Sequence, residues 1–226
     1  MRNFKSIIGL SLLLLMFNLS HAQDWANLNR YKSDNETIGL PKKGEKRVVF
    51  LGSSIIEFWK KEIPDFFKES YINRGIGGQT SPQLLLRFKA DVINLKPAVV
   101  IILAGSNDIA GNTGPTTIEQ ITDNIFAMAE LAKVHRIKVV LCANLPVYDY
   151  PWKQGVFPAA KIIELNELIR KYAERNGLVY LDFHSALKDE RNGTMAIYTK
   201  DGVHPNEAGY SIMIPLCEQA IKKARK

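Results

Sequence analysis

Five short, nearly continuous apolar runs recur along the chain: RVVFLG (47–52), YIN (71–73), AVVIILAG (98–105), KVVLCAN (138–144) and LVYLD (178–182). Runs this short leave no polar side for water, so each is expected to be a strand covered on both faces. The longer segments between them carry helix signals. Thr80 or Ser81 followed by Pro82 opens one helix, and Thr117 with Gln120 forms a capping box for the next. A third runs from about Ala159 to Arg175 and stops at Asn176–Gly177, and the last opens with Pro205. Strands alternating with helices require a parallel sheet with helices on both sides. The pattern predicts a three-layer α/β/α sandwich with five parallel strands in flavodoxin-like order.

Ahead of this pattern, Arg2 and Lys5 precede an apolar run from Ile7 to Phe17, with small residues at Ser20 and Ala22. That is the layout of a secretory signal over residues 1–22, cut after Ala22. The run is shorter than the roughly 20 residues a membrane helix takes, so an exported protein, periplasmic or secreted, with no stable membrane anchor is expected. The remainder reads as a polar arm over 23–46 and one domain over 47–226. The formal charge of +7 is dispersed except in the tail KKARK, too diffuse to indicate a nucleic-acid partner. Two cysteines in an exported chain can form a bridge, but Cys142 ends an apolar run and Cys217 lies in a helical pattern, so buried free thiols are the favoured reading.

In open parallel sheets, ligands bind at the carboxyl ends of the strands. Those ends carry Ser53 and Ser54, NRGIGGQTS (73–81), GSNDIAG (105–111), NLPVYDYPW (144–152) and FHSALKDE (183–190), with KDGVHPNEAGY (200–210) before the last helix. A serine hydroxyl attacks only when a base takes its proton and a carboxylate holds that base in one tautomer. Asp201 and His204 can supply both from one short turn, with Ser54 exposed at the strand mouth. Backbone amides of the glycine-rich turn and the Asn107 side chain can receive the negative charge that develops on an attacked carbonyl. Asp182 and His184 form a second pair that can compete. Taken singly, the serines read as helix caps, the glycines as turn formers and the Asp201–Pro205 stretch as an ordinary helix entry. Their succession along one sheet edge points instead to an acyl-transfer site. Tyr148, Tyr150 and Trp152 either pack locally or line a substrate cleft and stack on a sugar.

Other chemistries fit less well. GIGGQT has Thr80 where a dinucleotide fingerprint needs its third glycine, and Ile56 stands where a Gly-x-Ser-x-Gly elbow needs its second. Beyond the leader, His135, His184 and His204 are scattered, so neither a metal nor a cofactor is expected.

The motifs together resemble the GDSL, or SGNH, hydrolases. GSS (52–54) stands where their first block has Gly-Asp-Ser, GIGGQTS resembles the second, GSND the third and DGVHP the fifth. The resemblance covers Arg47 to the end of the chain. It implies an acylhydrolase with Ser54 as nucleophile, His204 as base and Asp201 as its orienting partner. It further implies an oxyanion hole from the amides of Ser54 and Gly78 with the side chain of Asn107. The resemblance implies small ester substrates and extends to lysophospholipids and thioesters, while export and the aromatic loop lean towards short-chain acyl and O-acetyl groups on carbohydrates; a non-catalytic carbohydrate-binding module on the same fold is the alternative. Ser53 departs from the family's aspartate, a residue that supports the turn.

Overall fold

The computed structural model describes residues 24–68 and 70–226. The leader expected over 1–22 lies outside them. Five parallel strands, β1 (Val48–Gly52), β2 (Tyr71–Gly75), β3 (Val99–Leu103), β4 (Lys138–Cys142) and β5 (Val179–Leu181), form one sheet in the order β2-β1-β3-β4-β5. This is the flavodoxin-like order. Among the described residues the α-helices in chain order are α1 (Lys32–Ile38), α2 (Ser54–Glu62), α3 (Ser81–Asp91), α4 (Ser106–Ile109), α5 (Ile118–Val134), α6 (Ala159–Arg175), α7 (His184–Leu187) and α8 (Glu207–Ala224).

The apolar runs are explained by the two cores they serve. Val48, Phe50, Val99, Ile101 and Val140 face one way, onto Ile56 and Trp59 of α2 and Tyr210, Met213 and Cys217 of α8. The alternate residues Val49, Leu51, Val100, Ile102 and Leu141 face Leu84 and Phe88 of α3, Ile125 of α5 and Leu165 of α6. Strand side chains alternate in direction, so two buried faces require an unbroken apolar run. Cys142 and Cys217 are both buried free thiols of the first core. Burial disfavours the thiolate and pushes both thiols up.

The helix starts follow local chemistry, with one correction. Thr80 and Thr117 each form a capping box, with Gln83 and Gln120. Pro205, expected to open the last helix, lies before it in a bridge with Thr199; Asn206 is the cap, accepting from the Gly209 amide at 3.0 Å. The asparagine offers a cap that proline, with no side-chain acceptor, does not.

Residues 24–46 do more than cover the outside. Asn35 of α1 donates to Asp91 at 2.8 Å and accepts from Arg74 at 2.7 and 2.9 Å, Tyr31 hydroxyl donates to the Gly75 carbonyl, and Arg74 stacks over the Tyr31 ring at 4.5 Å. The segment is thus tied to the carboxyl end of β2.

Beneath that contact lies Arg87, wholly buried. Its guanidinium donates to the carbonyls of Gly52 (3.0 Å) and Arg74 (2.7 Å), to the Gln79 side chain (2.6 Å) and to Asp91 (2.8 Å). Removing one partner of such a pair strands the other's charge, whereas removing both does not. Arg87→Met is expected to lower unfolding free energy by about 3–5 kcal/mol, with the double variant Arg87→Met/Asp91→Leu recovering a substantial part. Urea unfolding followed by circular dichroism measures both; a double variant no more stable than the single one contradicts the expectation.

Candidate active site

The end of β1 passes directly into α2, so Ser54 occupies the first helical position and its amide has no partner within the helix. Ser53 sits at the cap position with no side-chain capping bond, so the helix-cap reading of the serine pair does not hold for it. Ser54 is 9% exposed, where the sequence led us to expect an open hydroxyl. The helix begins so close to the sheet that its first residue forms the floor of the site.

The floor is fixed from below by β2. Asn73 donates to the Ile56 carbonyl and accepts from the Gly75 amide at 2.9 Å, drawing the two chain turns together. They meet so closely that a Cβ on Gly75 would stand 2.1 Å from the Glu57 amide nitrogen, a position only glycine can fill. Glu57 in turn accepts the Gly77 amide at 2.7 Å and pairs with Arg30 at 3.2 Å. Gly77 comes so near Ser54 that a Cβ on it would lie 3.8 Å from the serine Cβ. The next residue, Gly78, has φ +76°, and among the described residues its amide donates to no protein acceptor. Its carbonyl is held by Asn112 at 3.1 Å.

Asn107 reaches the same turn from α4, donating one side-chain hydrogen to the Gln79 carbonyl at 2.9 Å. Its amide group has a second hydrogen to offer. Its neighbours fix the short helix. Asp108 is buried and accepts the Ser81 amide through both oxygens at 2.9 Å and the Ser81 hydroxyl at 2.6 Å. Burial raises its carboxyl above the ordinary value, with the Ser81 bonds opposing that rise. On the other side Ser106 donates from its amide to Asn144 at 3.1 Å, and Asn144 is locked to Asn166 of α6 at 2.7 and 2.9 Å.

The base arrives from the far end of the chain. His204 Nε2 lies 2.9 Å from Ser54 Oγ, and His204 Nδ1 lies 2.7 Å from Asp201 Oδ2. Asp201 also accepts the amides of Val203 (2.9 Å) and His204 (2.8 Å) through Oδ1, so the carboxylate and the imidazole are parts of one tight turn. Partial burial pushes the Asp201 carboxyl up. The bonds from the His204 amide and ring and the Val203 amide outweigh burial and hold it below the ordinary carboxylate value. It therefore stays ionised across the neutral range. A carboxylate on Nδ1 leaves Nε2 as the acceptor facing the serine.

The structure thus brings Ser54, His204 and Asp201 into one hydrogen-bonded chain, with the Gly78 turn and Asn107 beside it. The rival pair shares no hydrogen bond: Asp182 accepts from the Ser185 amide and hydroxyl at 2.9 and 2.7 Å, while among the described residues His184 Nε2 is buried without a hydrogen-bond partner. Of the three loop aromatics, Trp152 meets His204 with ring centroids 5.8 Å apart. Tyr148 is exposed but has Arg191 over its ring at 4.7 Å. Tyr150 corrects the expectation of a substrate-facing side chain. It is completely buried, its hydroxyl donates to the Ser106 carbonyl at 2.8 Å, and burial pushes its pKa up to about 12. It is a prop for α4, because a buried phenol must find an acceptor and the first residue of that helix supplies one. The sequence reading missed Phe58, whose ring centroid is 5.2 Å from that of His204. Its spacing four residues after Ser54 on a helix was the available signal.

Among the described residues no cluster of three metal-ligating side chains occurs, and no helix is long and apolar enough to cross a membrane.

Comparison with known proteins bears on the fold and the family. The chain is similar to the structure of a GDSL-like lipase from Bacteroides thetaiotaomicron, with 48% identity and a TM-score of 0.85 over 88% of this chain and 98% of that one. It is also similar to a structure from Bacteroides fragilis designated an acylhydrolase, with 47% identity and a TM-score of 0.88 over 90% and 100% of the two chains. An acetylxylan esterase from Xylanibacter ruminicola is 23% identical over 83% of this chain and 45% of its own length. The chain spans less than half of the length of the curated relatives it matches. The profile of the GDSL-like lipase/acylhydrolase family matches residues 50–212, which take in Ser54, Asn107 and His204, and the chain belongs to that family.

Proposed function

We propose that the protein is a serine esterase that cleaves short-chain carboxylic esters, O-acetyl groups on carbohydrates among them, through an acyl-enzyme. The observation that carries this reading is the continuous bond chain from Ser54 through His204 to Asp201, at 2.9 and 2.7 Å. Ser54 Oγ attacks the ester carbonyl as His204 Nε2 takes its proton, and Asp201 stabilises the resulting imidazolium. The amides of Ser54 and Gly78 and the free hydrogen of Asn107 receive the charge on the carbonyl oxygen. The start of α2 adds its first-turn amides to the same side of the site. His204 then passes the proton to the departing alcohol, and a water activated by the same imidazole releases the acid.

Ser53 is compatible with this chemistry, since its neighbour carries the hydroxyl and the turn is held by Asn73 and Arg87 through the bonds described above. The carbohydrate side of the reading draws on the relative named as an acetylxylan esterase and on the exposed Trp152 beside His204. Export is proposed from the leader-like residues 1–22.

Ser54→Ala is expected to abolish hydrolysis of p-nitrophenyl acetate nearly completely, and full activity in that variant would reject the mechanism. Asn107→Ala is expected to lower kcat by roughly 10²–10³ with a smaller effect on KM. A panel of p-nitrophenyl esters from acetate to palmitate, followed by acetylated xylan and lysophospholipid, tests the substrate class. The proposal requires acetate to be favoured, and a maximum on long chains or on lysophospholipid points to the lipid reading instead.

A further inference from the structure

Two aromatic rings from unconnected elements meet the His204 imidazole. Phe58, on α2, has its ring centroid 5.2 Å away with 51° between the planes, and Trp152, in the loop after β4, stands 5.8 Å away at 33°. Both rings are left in contact with solvent, Phe58 at 36% exposure and Trp152 at 46%. Core aromatics of this protein such as Trp59 and Phe183 are fully buried. Trp152 is also held in place, its ring lying 5.1 Å from that of the buried Tyr150.

Resting on the acyl-transfer reading above, the path of the proton decides which half of an ester these rings meet. In acylation the Ser54 Oγ bond to the carbonyl carbon forms while the serine proton moves to His204 Nε2. The bond from that carbon to the alcohol oxygen then breaks, its electron pair stays on the oxygen, and the proton on Nε2 passes to it. The alcohol oxygen must therefore come within about 3 Å of Nε2. The body of the alcohol is carried to the surroundings of the imidazole, where Phe58 and Trp152 stand. The acyl substituent lies on the carbon held by the oxyanion donors and is under no such requirement.

We propose that Phe58 and Trp152 form the wall for the departing alcohol and select esters whose alcohol half presents an extended apolar face, as the ring C–H groups of a pyranoside do. Rigid aromatic rings offer such a face contact area at low conformational cost. The wall acts in acylation only, because once the alcohol has left, water takes its place at Nε2.

The test holds the acyl group constant as acetate and varies the alcohol. For wild type, Phe58→Leu and Trp152→Ala, kcat/KM is measured on an acetylated xylo-oligosaccharide and on methyl acetate. Each variant is expected to lower the ratio of the two values by about tenfold or more, the loss appearing with the large alcohol. Breakdown of the acetyl-enzyme, followed by rapid mixing with p-nitrophenyl acetate, supplies a rate in which no alcohol takes part. An unchanged ratio in both variants overturns the proposal, whatever happens to the absolute rates, and leaves the serine mechanism standing. A larger fractional loss in acetyl-enzyme breakdown than in acylation also overturns it, since the rings would then be serving His204 itself. If wild type hydrolyses neither ester, the acyl-transfer reading fails and this proposal falls with it. Leu retains the apolar bulk of Phe58 on α2, and the two variants sit on different elements, so misfolding of one leaves the other to decide.

Discussion

A single buried guanidinium organises the carboxyl edge of this sheet. Arg87 touches the last residue of β1 through Gly52, the end of β2 through Arg74 and the turn beyond it through Gln79. Gln79 then passes the restraint on, its carbonyl to Asn107 and its side-chain nitrogen to the Ala26 carbonyl at 2.7 Å. The residue before the serine pair, the glycine turn and the amide beside it are therefore referenced to one rigid group. A buried arginine is costly to desolvate, and burial does pull its pKa down. The ion pair with Asp91 and the full set of accepting carbonyls offset that cost.

The second constraint is close approach. β2 ends against the backbone of α2, with Gly75 at the contact, and this pins the glycine turn against the first turn of the helix. The Ser54 hydroxyl at the helix start is then nearly buried, next to a turn whose Gly78 amide has no protein acceptor among the described residues. In the proposed mechanism such preorganised donors cost nothing to reorient as charge develops on a substrate oxygen. Only the Asp201–His204 turn has to be delivered from elsewhere. It is self-contained, since its carboxylate binds the two amides and the ring of its own segment.

The segment before β1 belongs to this same machinery at one remove. Arg30 meets Glu57, which holds Gly77, while Tyr31 and Asn35 meet the end of β2. Trp25 contributes its carbonyl to Gln83 at the start of α3 at 2.7 Å. A stretch that looks merely polar thus buttresses the glycine turn from behind.

What the sequence determined by itself was local or periodic. Continuous apolar runs dictated strands buried on two faces, a hydroxyl ahead of Pro82 and the capping box at Thr117 dictated helix starts, and the short Asp201–His204 spacing dictated a turn whose carboxylate reaches its own imidazole. Ordered motifs at successive strand ends marked Ser54, Gly78 and Asn107. Only the tertiary structure decided the rest, because those choices depend on contacts between residues far apart in the chain. It placed Tyr150 in the interior and Trp152 at the imidazole, although both are aromatics of one loop. It gave the Asp182 carboxylate's hydrogen bonds to Ser185 and not to His184. It made Arg87, unremarked in a helical pattern, the group that ties the strand ends together, since hydrogen-bond partners contributed by other strands leave no trace in local spacing.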